Sequence, residues 1–172
     1  MTEAELFDRV RQKHGNRSTR VLEVFRKTFP GVKPVDLWHL IDRLGENRGT
    51  AILQAARKAE QDAAPAYLYQ FAWETPVLDG RPRAFHGSEV AFVFYNTDRC
   101  ERMTGDTSEA RELAAKVSDA WIHFARTGNP NHPGLPEWPA FTPDLEPTMV
   151  FDTKCEVRYN YDREAREVLK QG

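Results

Sequence analysis

The sequence predicts an α/β fold, with residues 1–62 mostly helical and residues 63–172 adding a few sheet strands and one long amphipathic helix. Three observations carry this. Apolar residues recur at three- and four-residue steps through the first part of the chain, the spacing that lines one face of a helix. Pro65–Trp73 breaks that step with a short run rich in aromatics, the composition of a buried strand. From Ala110 to Phe124 the helical step returns, over a stretch too long for one strand.

The elements follow in order. Thr2, with Glu5 three residues on, forms a capping box, and Leu6 and Val10 share the face beyond it before Gly15 closes the helix. Ser18 or Thr19 caps a second helix, whose Val21, Leu22, Val24 and Phe25 lead to the stop signal Phe29-Pro30-Gly31. Pro34 suits the first turn of a third helix through Leu37, Trp38, Leu40, Ile41 and Leu44. A fourth is expected from Glu46 to Gln61, with Ile52, Ala55, Ala56 and Ala59 on one stripe. After the aromatic strand, Thr75-Pro76 and Asp79-Gly80-Arg81-Pro82 make a turn-rich connection. Asp106 or Thr107 starts the long helix, and Gly128 ends it ahead of a non-helical loop, Asn129–Gly134. Thr148–Asp152 and Cys155–Tyr159 read as two antiparallel strands about a tight turn at Thr153-Lys154. Asp162–Lys170 is expected to be a polar terminal helix.

Composition removes whole classes of function. With 24 basic and 26 acidic residues the net charge is -2, and no basic stripe or polybasic tail marks a nucleic-acid binder. No apolar run approaches the roughly 20 residues of a membrane span, and no signal peptide opens the chain. Neither nucleic acid nor a membrane is therefore expected as a partner. Cys100 and Cys155 are too few for a disulfide framework or a cysteine-rich zinc site, and two free thiols fit a cytoplasmic location. His14, His39, His123 and His132 have no companions at ligand spacing, so they read as surface or packing residues, and no metal or other cofactor is expected.

The stretch that points to chemistry is Ala84-Phe85-His86-Gly87-Ser88-Glu89, followed by the apolar run Val90–Phe94. Imidazole can take and return a proton at neutral pH. Gly87 lets the backbone turn sharply beside the ring, and the run after it is expected to anchor that turn in a core. His86 follows the aromatic strand on the connection after its carboxyl end, where open α/β sheets place their chemistry. Glu89 is placed either to bond the imidazole or the backbone, or to cap the segment Val90–Phe94. A lone histidine in such a place is more often a packing residue than a catalyst.

The surrounding pattern changes that balance. Ala66-Tyr67-Leu68-Tyr69-Gln70-Phe71, then His86-Gly87-Ser88-Glu89 with Val90–Phe94, resemble the histidine region of type-B carboxylesterases, the family that includes cholinesterases and bacterial para-nitrobenzyl esterases. Ala120–Asn131 resembles the family's late helix and its exit, and Trp138-Pro139-Ala140-Phe141 with Thr148–Asp152 resembles its final loop and strand. The resemblance implies an α/β-hydrolase fold. Residues 1–172 are then the C-terminal fragment of one such domain, with a helical segment 1–62 and a histidine-bearing strand and helix segment 63–172. It also implies a Ser-His-acid triad that cleaves carboxylic esters through an acyl-enzyme, with His86 in the histidine position and a small-molecule carboxylic ester as substrate of the full enzyme. His86 would take the serine proton during attack and give it to the leaving alcohol.

The other parts of that machinery are not in the sequence. The serine of this fold stands on a G-x-S-x-G elbow, and Ser18, Ser88, Ser108 and Ser118 all lack that frame. Ser88, two residues from His86 on the same turn, is poorly placed for attack. There is no Gly-Gly pair for an oxyanion loop, and no Asp-Glu-Gly stretch precedes His86. Serine and acid precede histidine in the family's order, so the expected partner is the missing amino-terminal part of the same fold. Alone, the chain is expected to be inactive. It is also expected to self-associate, because the strands that flank Tyr67–Phe71 in the whole enzyme are absent. Two other readings stand beside this one. The first is a noncatalytic cholinesterase-like scaffold or binding module. The second is a free-standing small hydrolase, in which Cys100 is the only other conventional nucleophile.

Overall fold

Both arms of the capping box form at Thr2. Its hydroxyl accepts from the Glu5 N–H at 3.2 Å, and the Glu5 carboxylate accepts from the Thr2 N–H at 2.7 Å. They start α1 (Glu3–His14), in a computed structural model that describes residues 1–170. The chain divides into two compact units, Met1–Gln54 with the segment from Asn160 onward, and Ala55–Tyr159.

In the first unit a 3-10 turn, Gly15–Arg17, runs directly from α1 into α2 (Ser18–Thr28). Ser18 is consequently a buried residue inside the helix and not its cap. The turn already supplies the Gly15 carbonyl to the Ser18 N–H, so that amide needs no side-chain acceptor. The expected third and fourth helices are one helix, α3 (Pro34–Ala59), which passes through Gly45 without a break. A glycine costs a helix only about 1 kcal/mol, and here Leu37, Ile41 and Leu44 all stay on one buried face. They join Leu6, Val10, Val21, Val24 and Phe25 in a core that Ala165 and Val168 of α7 (Arg163–Lys170) complete.

The terminal helix is less polar in its setting than its sequence suggested. Its Ala165, Arg166 and Val168 are buried, and Asp162 just before it is fully buried. The Asp162 carboxylate pairs with Arg48 of α3 and, at 3.0 Å, with Arg166 Nε. Arg48 also lies over the Tyr161 ring, 4.7 Å from its centroid. One fully buried acid thus pairs with two arginines, one from each helix.

The second unit holds a three-stranded sheet in the order β1-β2-β3, built from β1 (Leu68–Phe71), β2 (Thr148–Phe151) and β3 (Glu156–Arg158). β1 runs parallel to β2, with Leu68 opposite Thr148 and Phe71 opposite Phe151. β3 is antiparallel to β2, as the sequence predicted. Between β1 and β2 lie α4 (Val90–Val93), α5 (Glu101–Thr104) and α6 (Ser108–Thr127). The Thr107 hydroxyl caps α6 by accepting from the Ala110 N–H at 3.2 Å, and Gly128 ends it in the left-handed conformation. One face of the sheet carries Tyr67, Tyr69, Phe71, Met149 and Phe151 against α4 and α6. The rings interlock there, with Tyr69 to Trp121 at 5.0 Å, Phe71 to Phe92 at 4.9 Å and Trp138 to Phe151 at 5.7 Å between centroids. Among the described residues no helix is long and apolar enough to cross a membrane.

Two stability measurements follow from the first unit. Asp162→Ala should cost about 3 kcal/mol or more in chemical denaturation, because it removes a fully buried carboxylate that pairs with both guanidinium groups. A loss under about 1 kcal/mol would show that the cluster is not holding α3 to α7. The second concerns His14, whose Nε2 is buried without a partner. Burial first, and then the charges of Lys13 and Arg17, hold its pKa below the usual histidine value. The unfolded chain therefore binds this proton first as pH falls, so stability is complete above about pH 6.5 and declines below it. His14→Gln should flatten that decline, and an unchanged slope would remove His14 as its source.

Candidate active site

The carboxyl end of β1 is tied to its neighbour by one oxygen. The Phe151 carbonyl accepts from the N–H groups of Ala72 and Trp73, at 2.8 and 3.1 Å. The chain then folds back on itself. Buried Thr75 donates its hydroxyl to the Met103 carbonyl at 2.6 Å, and Arg83 pairs with Glu74 at 2.9 Å. Leu78, Asp79 and Arg83 all have positive φ, a costly conformation for residues with a Cβ. This strained connection delivers the chain to His86.

The His86 turn is held by its own backbone. The Ser88 N–H donates to the Phe85 carbonyl at 3.0 Å and the Val90 N–H to the Gly87 carbonyl at 3.2 Å. Gly87 has φ +79 with open space where a Cβ would stand, so its backbone conformation, not crowding, calls for glycine. The imidazole is exposed, and no described residue hydrogen-bonds or ion-pairs with it.

The Glu89 side chain bonds neither the imidazole nor the backbone, and it does not cap. It stands at the N-cap of α4 in helical dihedrals and makes no cap bond. A capping side chain needs the extended backbone that would bring it over the first amides. Its charge instead reaches Tyr69, where burial first and then Glu89 push the phenol pKa up. The Val90–Phe94 run anchors the turn on one side only. Ala91 and Phe92 are buried, but one helical turn carries Val90, Phe94 and Tyr95 outward, 50, 71 and 60% exposed. An apolar surface therefore borders His86.

Among the described residues no serine or cysteine bonds to the imidazole. Ser88 is buried and its Oγ has no partner. Ser108 donates to Glu109 at 3.2 Å, and Cys100 is half-buried against the aromatic core. Cys155 donates to the Asp152 carbonyl at 3.5 Å, and its thiol pKa is raised, chiefly by burial. Among the described residues no three His, Cys, Asp or Glu side chains are grouped to hold a metal. What the turn offers is a water-exposed imidazole on a backbone-bonded turn. The sequence reading missed the unpartnered Ser88 hydroxyl and the influence of the Glu89 charge on Tyr69. Neither leaves a signal in residue spacing, since each depends on which way a side chain points.

Comparison with known proteins gives the family and the fold. Residues 46–169 match the sequence profile described as Carboxylesterase family. The para-nitrobenzyl esterase of Bacillus subtilis is 34% identical over 117 residues, covering 67% of this chain and 24% of that protein. The phenmedipham hydrolase of Pseudarthrobacter oxydans is 38% identical over 90 residues, 50% of this chain and 18% of its own length. Among solved structures, an esterase of Clostridium hathewayi that can hydrolyse aliphatic aromatic polyesters superposes with a TM-score of 0.72 at 33% identity, over 99% of this chain and 33% of that one. A carboxylesterase of Geobacillus stearothermophilus gives 0.74 at 29% identity, over 99% and 35%. The chain thus matches 18 to 35% of the length of these four proteins, and its architecture is that of part of the α/β-hydrolase fold.

The Ser88 hydroxyl supplies a test. Ser88→Ala should leave the chain equally stable or up to about 1 kcal/mol more stable, because a buried hydroxyl without a partner only carries a desolvation cost. A clear loss in denaturation would show that Ser88 is bonded.

Proposed function

We propose that this chain, which belongs to the carboxylesterase family, supplies the histidine of a serine ester hydrolase whose other catalytic groups lie in an amino-terminal part of the same fold. The observation that carries the reading is His86, an exposed imidazole on a backbone-bonded turn after β1 with no partner among the described residues. A histidine kept for packing alone would be expected to sit against its neighbours. Both compact units belong, in this reading, to that one hydrolase domain.

The chemistry assigns His86 two proton transfers per half-reaction. The imidazole removes the serine proton as the hydroxyl oxygen attacks the ester carbonyl, then returns it to the departing alkoxide, leaving an acyl-enzyme and free alcohol. It next takes a proton from water as water attacks the acyl group, and gives it to the serine oxygen as the carboxylic acid departs. An acid from the amino-terminal part orients the ring, and an oxyanion loop stabilises the tetrahedral oxygen. This sequence requires no cofactor. Carboxylic esters are the substrate class that the family and the named relatives support.

The free edge of β1 and the outward Val90, Phe94 and Tyr95 suit the docking of the completing part. The same surfaces would drive self-association of the chain by itself. A noncatalytic scaffold is the second reading, and it is favoured by the lack of any nucleophile bonded to His86.

Activity decides between them. The isolated chain should hydrolyse para-nitrophenyl acetate no faster than buffer. The longer polypeptide that carries G-x-S-x-G upstream should turn it over and lose about a thousandfold or more in kcat on His86→Ala. Turnover by the isolated chain that disappears in His86→Ala would contradict the need for a completing part. Turnover by the longer protein that survives His86→Ala would remove His86 from the mechanism.

A further inference from the structure

Three hydrogen bonds converge on Thr75, which is 2% exposed. Its hydroxyl donates to the Met103 carbonyl of α5 at 2.6 Å and accepts from the Val77 N–H at 3.2 Å. Its own N–H donates to the Arg83 carbonyl at 3.4 Å. A threonine hydroxyl has one hydrogen to give and lone pairs to receive, so both of its capacities are in use. Without the hydroxyl, the Met103 carbonyl and the Val77 N–H both lose this partner.

The bonds do different work. The one to Arg83 closes the loop 76–82 at its neck, where the Arg83 guanidinium also pairs with Glu74 at 2.9 Å. Inside the loop, the Arg81 N–H donates to the Leu78 carbonyl at 3.3 Å and the Arg83 N–H to the Gly80 carbonyl at 3.2 Å, which hold its shape but not its place. The hydroxyl bond reaches α5, 28 residues further along the chain, and gives the loop its place. Pro76 follows it there. A Cβ on Gly105, the residue that ends α5, would stand 2.8 Å from Pro76 Cγ. Leu78, Asp79 and Arg83 keep positive φ, which persists only where the surroundings enforce it. Leu78 is 61% exposed, so the neck at Thr75 enforces it rather than packing at the tip.

His86 stands inside the segment that Thr75 closes. Only Ala84 and Phe85 separate it from Arg83. Beyond the turn, α4 is anchored by Phe92, which is fully buried with its ring centroid 4.9 Å from those of Phe71 and Trp73. From α4 the Asn96 N–H donates back to the Ala91 carbonyl at 3.0 Å, and the Thr104 hydroxyl of α5 donates to the Thr97 carbonyl at 3.0 Å. The exit of the turn is thus linked bond by bond to α5. Thr75 joins α5 to the entry, and the two sides of the turn are held together.

We propose that Thr75 is a positioning residue for His86: its hydroxyl clasps the entry of the turn to α5 and so fixes where the turn carries the imidazole. The inference rests on the role given to His86 in the proposed function. An imidazole with no bond of its own to a described residue is placed through its backbone, and proton transfer to an attacking hydroxyl demands hydrogen-bond reach. Thr75 touches neither the ring nor a reacting atom. It acts through the turn.

The test is nitrogen-15 relaxation on the isotopically labelled full chain. Thr75→Val keeps the branched shape and removes the hydroxyl, whereas Thr75→Ser keeps the hydroxyl. Backbone order parameters at His86, Gly87 and Ser88 should fall from about 0.85 in the wild type to below about 0.6 in Thr75→Val, with β1 and α6 unchanged. Thr75→Ser should restore them. Wild-type order at His86–Ser88 in Thr75→Val would overturn the proposal, and so would a Thr75→Ser chain as mobile there as Thr75→Val. If Thr75→Val does not fold, native-state hydrogen exchange of the wild-type chain in low denaturant decides instead. The Val77, Arg83, Ser88 and Val90 amides should then open as one unit, with protection within about threefold of one another. Ser88 and Val90 exchanging about tenfold or more faster than Val77 would overturn it. No ester turnover enters these measurements, so the clasp can fail while the role of His86 stands, and the reverse.

Discussion

The parallel pairing of β1 with β2 is the constraint on which the second unit depends. Parallel neighbours cannot be joined by a tight turn, so the chain between them must leave the end of one strand and come back to the beginning of the other. That return puts α6 across the sheet face, where Trp121 and Val117 meet the strand aromatics. It also makes the connection after β1 the first part of the crossover, which is where His86 stands. The Phe151 carbonyl, holding two successive amides at the end of β1, fixes the point from which that connection departs.

Much of this was legible because it is local. Thr2, Thr107 and Gly128 act within a few residues of themselves, and their caps form as the sequence predicts. The β2–β3 pair is likewise set by a short turn. What could not be read depends on partners far along the chain. Gly45 ends nothing because packing along one face of α3 outweighs the local cost of a glycine. Asp162 and Arg166 look like surface charges until Arg48, more than a hundred residues earlier, is brought to them. Ser18 fails as a cap because the preceding turn has already filled that role.

The same division runs through the candidate site. The turn around His86 was legible from Gly87 and the short loop bonds, but the directions of Ser88, Glu89 and Val90 were not. The Glu89 charge is felt at Tyr69, and two of the five residues of the apolar run face solvent, because a single helical turn distributes them to opposite sides. The candidate site is an exposed imidazole on a strained, well-tethered connection, bordered by apolar side chains. The chain spans about a third of the esterase structures it superposes on, and an imidazole without its own nucleophile is what one part of a divided triad would present.

The most direct measurement is to read the coding sequence immediately upstream of the Met1 codon, in frame. The account predicts a G-x-S-x-G segment at the end of a strand pattern and, after it, an acidic residue followed by glycine, both ahead of α1. An in-frame stop codon with neither motif would contradict the assignment of His86 to a divided triad and leave the esterase kinship as ancestry alone.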